Sequence, residues 1–314
     1  MKLKALIISI KGLSLTRKEK NLLKNERPWG IILFKRNIKS FRQIKKLINE
    51  IKIITKNKKF PIIIDEEGST VSRLTNLLNH NISSNFFGNL YRKNKIFTLK
   101  ILKIYLHSLT KILKDLGFNI NTIPVLDILK PYTNKIIGKR GFSDQKKIVR
   151  DLGNYTIKYL HSNNFAGVIK HIPGHGRAKT DSHKKMPIVS SSFKDLDNND
   201  FYAFKLSQAK FAMTAHVLYK KIDKRNVATF SKTIIKKIIR KKIGFKGILI
   251  SDDISMKALK YDLKTNAKKS IEAGCNLVLY CAGNINDNFK LIKSLPYIDK
   301  FTSKKTSEFY KFLG

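Results

Sequence analysis

The sequence predicts an α/β fold, a (β/α)8 TIM-type barrel in a single domain spanning residues 1–314. Three observations lead there. Eight apolar, β-branched runs recur along the chain, segments with helical periodicity separate them, and acidic or imidazole side chains stand at the C-terminal ends of the runs. Near-continuous apolar runs suit strands buried on both faces, as in a parallel sheet wrapped by helices. Eight strand–helix alternations in one chain of 314 residues fit a closed barrel better than a two-domain open sheet.

The elements follow in order. LKALIIS (3–9) reads as a first strand and not as a signal peptide, because Lys11 breaks the apolar run and no small-residue cleavage site follows. WGIILF (29–34) is the second. Ser40 then starts a helix with Gln43 as its capping-box partner and Ile44, Leu47, Ile48 and Ile51 as its apolar stripe. FPIIID (60–65) is the third strand, and a helix over 96–116 stops at Gly117, a natural C′ residue. FNINTIPVLD (118–127) is the fourth; Asp144 caps a helix running to about His161. FAGVIKH (165–171) and FAMTAHV (211–217) are the fifth and sixth, and Ser231 starts a helix to about Lys242. GILISDD (247–253) and NLVLYCA (276–282) complete the eight. No Pro/Gly/Ser-rich linker and no fixed-period repeat interrupts them.

Composition narrows the function classes. An apolar content of 42% supports a sizeable core. The formal charge of +42 invites polyanions at low salt. The lysines are spread along every segment, though, and keep company with abundant Asn and Ile, as AT-rich codons would produce. No RNA-binding sheet motif or helix-turn-helix pattern stands out, so no specific nucleic-acid partner is expected. No apolar run approaches the roughly 20 residues that span a bilayer, so no membrane partner is expected either. Cys275 and Cys281 lie in one apolar segment and read as buried free thiols of a reducing compartment, the cytoplasm.

Asp65, Asp127, His171, His216 and Asp252 each fall at the C-terminal end of a run, the face on which such barrels build active sites. Their convergence there points to an enzyme. In SDDIS (251–255) adjacent side chains of a strand face opposite ways, so one aspartate serves the barrel mouth and the other caps the next helix. In IDEEGSTVSRL (64–74) Asp65 precedes a glycine turn, with Arg73 near enough to join it in binding hydroxyls. KHIPGHGRAKTDSH (170–183) leaves more open. His171, His175, Asp181 and His183 are enough ligands for a metal, although Pro173, Gly174 and Gly176 forbid a helical arrangement. Alternatively Asp181 orients His183 for proton transfer near neutral pH.

These motifs together make the chain resemble glycoside hydrolase family 3, specifically the bacterial β-N-acetylglucosaminidases of peptidoglycan recycling. The similarity runs from about Gly30 to Cys281 through ILFKRN, IDEEG…VSRL, PVLDI, GKRGFS, KHIPGHG…DSH, MTAHV, SDDISM and EAGCNLVLYC. The resemblance implies a retaining double displacement with Asp252 as nucleophile and His183 as acid/base, oriented by Asp181. It also implies that Asp65, Arg73, Arg140, Lys170 and His171 bind the sugar. The expected partner is a small glycan, N-acetylglucosaminyl-1,6-anhydro-muropeptide, handled by a monomer without metal or organic cofactor. Three positions depart from the family pattern: Ser69-Thr70 in the first turn, Arg177-Ala178-Lys179-Thr180 in the long loop, and Lys220 in place of a proline. A metal-dependent hydrolase, a non-enzymatic polyanion binder and an inactive glycosidase-like scaffold are the competing readings.

Overall fold

The computed structural model describes residues 2–79, 81–182, 184–205 and 208–314. Its strands are β1 (Lys4–Ile8), β2 (Pro28–Leu33), β3 (Ile62–Ile64), β4 (Ile120–Asn121), β5 (Ala166–Ile172), β6 (Ile188–Val189), β7 (Phe211–Thr214), β8 (Leu218–Tyr219), β9 (Ile248–Asp253) and β10 (Leu277–Leu279). Eight of them close into a barrel in the order β1-β10-β9-β7-β5-β4-β3-β2, every neighbour parallel. Each apolar run of the sequence supplies one stave, so the fold is the expected (β/α)8 barrel.

The differences are local and have chemical causes. The fourth run pairs as β4 over only two residues. Pro124 has no N–H to give to a ladder, and beyond it the chain stays beside β5 through Leu126 N–H to Lys170 O at 2.7 Å. At the helix Phe41–Ile54, Ser40 Oγ accepts from Gln43 N as expected, but the Gln43 side chain returns to the Lys39 N–H rather than to that of Ser40. Asp144 does not cap the helix Lys146–Ser162: Gln145 holds that position, and Asp144 is taken by Arg92. Ser231 does cap the helix that follows, accepting from Ile234 N at 3.1 Å; the stretch Ile234–Lys242 winds at the wider π pitch. The run 211–217 ends as a strand at Thr214, and the next residues form β8, which pairs with β6 in a separate two-stranded parallel sheet.

The core has two parts. Between strands and helices lies the larger apolar shell, to which the stripe Ile44, Leu47, Ile48 and Ile51 belongs. Inside the barrel, Ile7, Ile63, Val168, Ile250 and Leu277 fill the lumen. Its floor is closed by Trp29, Phe211 and Phe309, the last from the helix Lys300–Phe312, and Trp29 Nε1–H donates to Thr306 Oγ1 at 2.8 Å. A filled floor leaves the opposite, C-terminal mouth as the open face. Among the described residues no helix is long and apolar enough to cross a membrane.

Candidate active site

A cavity of about 310 Å³ opens at that mouth, lined by Asp65, Arg73, Arg140, Lys170, His171 and Asp252, among others. Ligand pockets of this size stand at the small end of their range. Six of the eight predicted site residues therefore share one wall-to-wall site. Ser182 also lines it. His183 lies outside the described residues, and its geometry relative to Asp181 is not described.

The first cluster grows from the end of β3. Asp65 Oδ2 accepts from Arg73 Nη2 at 2.6 Å, and Oδ1 accepts from Lys170 Nζ at 2.7 Å and the Thr122 hydroxyl at 2.5 Å. Burial alone would raise the Asp65 pKa, but Lys170, Arg73 and Arg140 outweigh it and hold the carboxyl well below the usual aspartate range. Two residues on, and so on the same side of an extended chain, Glu67 is clasped by Arg140 through Nε at 2.7 Å and Nη2 at 2.8 Å, and by Lys170 Nζ at 2.5 Å. Lys170 thus spends three contacts on Asp65, Glu67 and Thr122, its Nζ donating to Thr122 Oγ1 at 2.8 Å. An ammonium has three protons. The structure makes Lys170 the holder of both carboxylates.

Glu67 and Thr122 escaped the sequence reading. The alternation Asp65-Glu66-Glu67 carries a signal for Glu67. Glu66 faces the other way and shapes the turn, accepting from Arg73 N at 2.6 Å and Leu74 N at 3.0 Å. The unusual Ser69 and Thr70 are exposed at the tip of that turn, while Val71 and Arg73 reach the cavity. The departure from the family pattern leaves the Asp65–Arg73 pair made.

The second cluster is centred on Asp127, which the sequence placed at a strand end without a role. Its Oδ2 meets His171 Nδ1 at 2.7 Å, and its Oδ1 accepts from His175 N at 2.6 Å. Burial pushes the Asp127 pKa up, but His171 and His175 bring the net shift down. An ionised Asp127 only accepts, so His171 Nδ1 carries a proton, and Nε2 is left for the cavity. His175 also lines the cavity, yet neither of its ring nitrogens has a hydrogen-bond partner among the described residues. Burial outweighs the nearby Asp127 and lowers its pKa to about 4.

At the end of β9 the two aspartates do divide, but the structural one does not cap the next helix, whose N-cap is Asp262. Asp253 caps the turn: it accepts from Ser255 N at 3.1 Å, the Ser255 hydroxyl at 2.6 Å and Cys281 N at 3.2 Å. Asp252 accepts only from the Asp253 amide at 2.8 Å among the described residues, leaving an oxygen for the cavity. Burial raises its pKa, whereas His216, His171 and the Asp253 amide lower it, for a net shift below the usual value. His216, wholly buried, donates Nε2–H to the Asp253 carbonyl at 3.0 Å and takes Thr229 Oγ1 on Nδ1 at 2.7 Å. A carbonyl can only accept, which fixes the tautomer. Cys275 is buried as expected, whereas Cys281 is only half-buried and stands in the cavity wall. No three His, Cys, Asp or Glu side chains among the described residues are grouped to hold a metal ion.

A barrel mouth carrying an ionised carboxylate among sugar-sized polar contacts suits several hydrolases, and comparison with known proteins decides among them. The family model described as the glycosyl hydrolase family 3 N terminal domain matches residues 2–303. The chain belongs to glycoside hydrolase family 3. It is accordingly an enzyme, and the non-enzymatic polyanion reading falls. Curated relatives of this family 3 chain include the β-hexosaminidase of Haemophilus influenzae, 31% identical over 93% of this chain and 85% of its own, and that of Neisseria meningitidis serogroup A, 31% identical over 90% and 80%. Among solved structures, NagZ from Neisseria gonorrhoeae in complex with N-trifluoroacetyl-D-glucosamine superposes with a TM-score of 0.89 at 29% identity, covering 100% of this chain and 90% of that one.

Proposed function

We propose that this family 3 chain is a retaining exo-β-N-acetylglucosaminidase, folded as one glycoside hydrolase domain over 1–314. Its substrate is read as N-acetylglucosaminyl-1,6-anhydro-muropeptides, placing the enzyme as a monomer in cytoplasmic peptidoglycan recycling. The observation that carries the activity is Asp252: an ionised carboxylate with an uncommitted oxygen, in a small cavity whose other walls offer Asp65, Arg73, Arg140 and His171 to sugar hydroxyls and the acetamido group. The relatives' name, β-hexosaminidase, and the sugar derivative bound by the gonococcal neighbour support the same class.

In this reading the terminal sugar seats with C1 over Asp252. Arg73 and Arg140 hold it from one side and His171 Nε2 from the other, while Lys170 keeps Asp65 and Glu67 in place. Asp252 attacks C1, the glycosidic C–O bond breaks, and His183 passes its proton to the departing oxygen. His183, now neutral and oriented by Asp181, takes a proton from water, which attacks C1 and releases Asp252. An imidazolium beside an anionic nucleophile is attractive, so the pair needs no opposed tuning of two carboxylates.

The test is hydrolysis of a chromogenic β-N-acetylglucosaminide beside the β-glucoside, with the anomer of the first product read by NMR. The reading expects preference for the acetamido sugar, a β-configured first product, and an Asp252→Asn variant slower by at least about 10³-fold. Asp252→Asn as fast as wild type, or an α product, sinks it.

A further inference from the structure

The loop that bears Asp181 and His183 leaves the barrel after β5 and runs to β6, in the separate two-stranded sheet. Its root carries Arg177, the residue that breaks the family pattern, with a side chain only 9% exposed. Nε donates to Asp200 Oδ2 at 2.6 Å, Nη1 to Asp195 Oδ2 at 2.7 Å and Ser191 Oγ at 3.1 Å, and Nη2 to Asp195 Oδ1 at 2.9 Å. Ser191 lies just past β6, Asp195 in the helix Phe193–Asn198 and Asp200 in the helix Asp200–Phe204. One guanidinium therefore ties the outgoing end of the loop to three groups on its returning side.

The backbone around it is pinned as well. The Thr133 hydroxyl donates to Gly176 O at 2.5 Å, Asn134 Nδ2 to Lys179 O at 2.8 Å, and the Tyr219 hydroxyl to Gly174 O. Gly176 passes so near Ile128 O that a Cβ there would stand 1.9 Å from it. Further along, Ser182 O accepts from Ala258 N at 3.0 Å, in the segment following the Asp252 strand. These contacts hold the root up to Lys179, and from there a few residues reach across to the nucleophile's side of the cavity.

We propose that Arg177 is a positioning residue for proton transfer: its clasp on Asp195 and Asp200 fixes the loop root so that the Asp181–His183 pair meets the leaving-group oxygen. This rests on the reading of His183 as the acid/base. The planar fork matters, because an ammonium on a flexible stem cannot make two in-plane bonds to Asp195 and a third to Asp200. A clasp that merely held two helices to the barrel would affect all substrates alike. A clasp that aims an acid affects those whose leaving group needs a proton.

The experiment compares kcat/KM on an alkyl β-N-acetylglucosaminide, whose leaving group needs protonation, and on the 2,4-dinitrophenyl glycoside, which does not. Arg177→Lys keeps a cation beside buried Asp200, and Asp195→Asn removes a carboxylate that is 41% exposed, so both variants are designed to fold. We expect each to lower the alkyl rate by about 10- to 100-fold, the scale of misplacing a reacting group by an ångström. The aryl rate should fall by no more than about threefold. Equal losses on both substrates, or none on either, overturn the proposal. His183→Ala runs in parallel, with an expected alkyl loss of ~10²–10⁴-fold. If His183→Ala sorts the two substrates and the Arg177 and Asp195 variants do not, the clasp is wrong and the acid/base stands. If His183→Ala does not sort them, the acid/base reading itself fails and the clasp with it.

Discussion

Glu67 offers the sharpest test of how this cavity is held together. Its carboxylate, 3% exposed, bridges Arg140 and Lys170, through two contacts to the first and one to the second. Removing one partner of a buried ion pair strands the other and costs about 3–5 kcal/mol. Glu67→Ala strands Arg140, whereas Lys170 keeps Asp65 and Thr122, so a cost within that range is expected. With an unfolding entropy of about 2.1 cal/mol/K per residue, a 314-residue chain converts this into a Tm drop of about 5–8 °C. Glu67→Gln keeps one acceptor and should lose roughly 1.5–3 kcal/mol, the worth of a hydrogen bond to a charged group. KM should rise in both, since Arg140 and Lys170 lose the anchor that aims them, and Lys170 in turn holds Asp65. Thermal unfolding followed by circular dichroism, with Michaelis kinetics on the same preparations, reads both effects. A Glu67→Ala protein melting within 1 °C of wild type, with unchanged KM, would refute the assignment of Glu67 as the cavity's internal strut.

Other outcomes follow from the buried imidazoles. His175 has a folded pKa near 4 against an unfolded value of about 6.5, so the unfolded chain binds the extra proton and stability falls as pH drops through that window. The slope from this group is at most ~1.4 kcal/mol per pH unit. His175→Leu should flatten it between pH 6.5 and 4 while costing little at pH 7.5, because neither ring nitrogen has a partner among the described residues to lose; denaturant melts across pH decide. His216 helps hold the Asp252 pKa below its ordinary value, so the acid limb of kcat/KM in wild type should lie below pH ~3.9. His216→Leu should move that limb upward, and an unmoved limb refutes the influence. Arg73→Ala should raise KM several-fold and move the Asp65 pKa upward, read by NMR titration of that carboxyl.

The barrel was legible because buried parallel strands leave a plain mark: runs of Ile, Leu and Val of strand length, spaced by helical stripes. Boundaries were less so. Pro124 inside the fourth run is a visible warning that the ladder would stop, whereas Asp144 looked like a cap until Arg92, 52 residues earlier in the chain, claimed its carboxylate. The site shows the same split. That Asp65, Lys170, His171 and Asp252 would meet followed from their places at strand ends. That Lys170 would be saturated by Asp65, Glu67 and Thr122 did not, because three of its contacts join segments 48 to 105 residues apart. Asp127 sat in plain view at a strand end, but its task, steering His171 while pinning the His175 backbone, depends on a turn that local pattern does not encode.

The floor of the barrel bears on how the chain is made. β1 completes its hydrogen bonding only against β10, and Trp29 finds its indole partner in Thr306, 277 residues downstream. At ribosomal speeds of 5–20 residues per second, β1 waits on the order of 15–50 s for the strand that closes the ring. Until then Trp29 and the edges of β1 and β10's future neighbours are unpaired, and the nascent barrel is an open, curved sheet of the kind that sticks to other chains. The tryptophan that seals the finished enzyme is thus the residue most in need of shelter while the enzyme is being born.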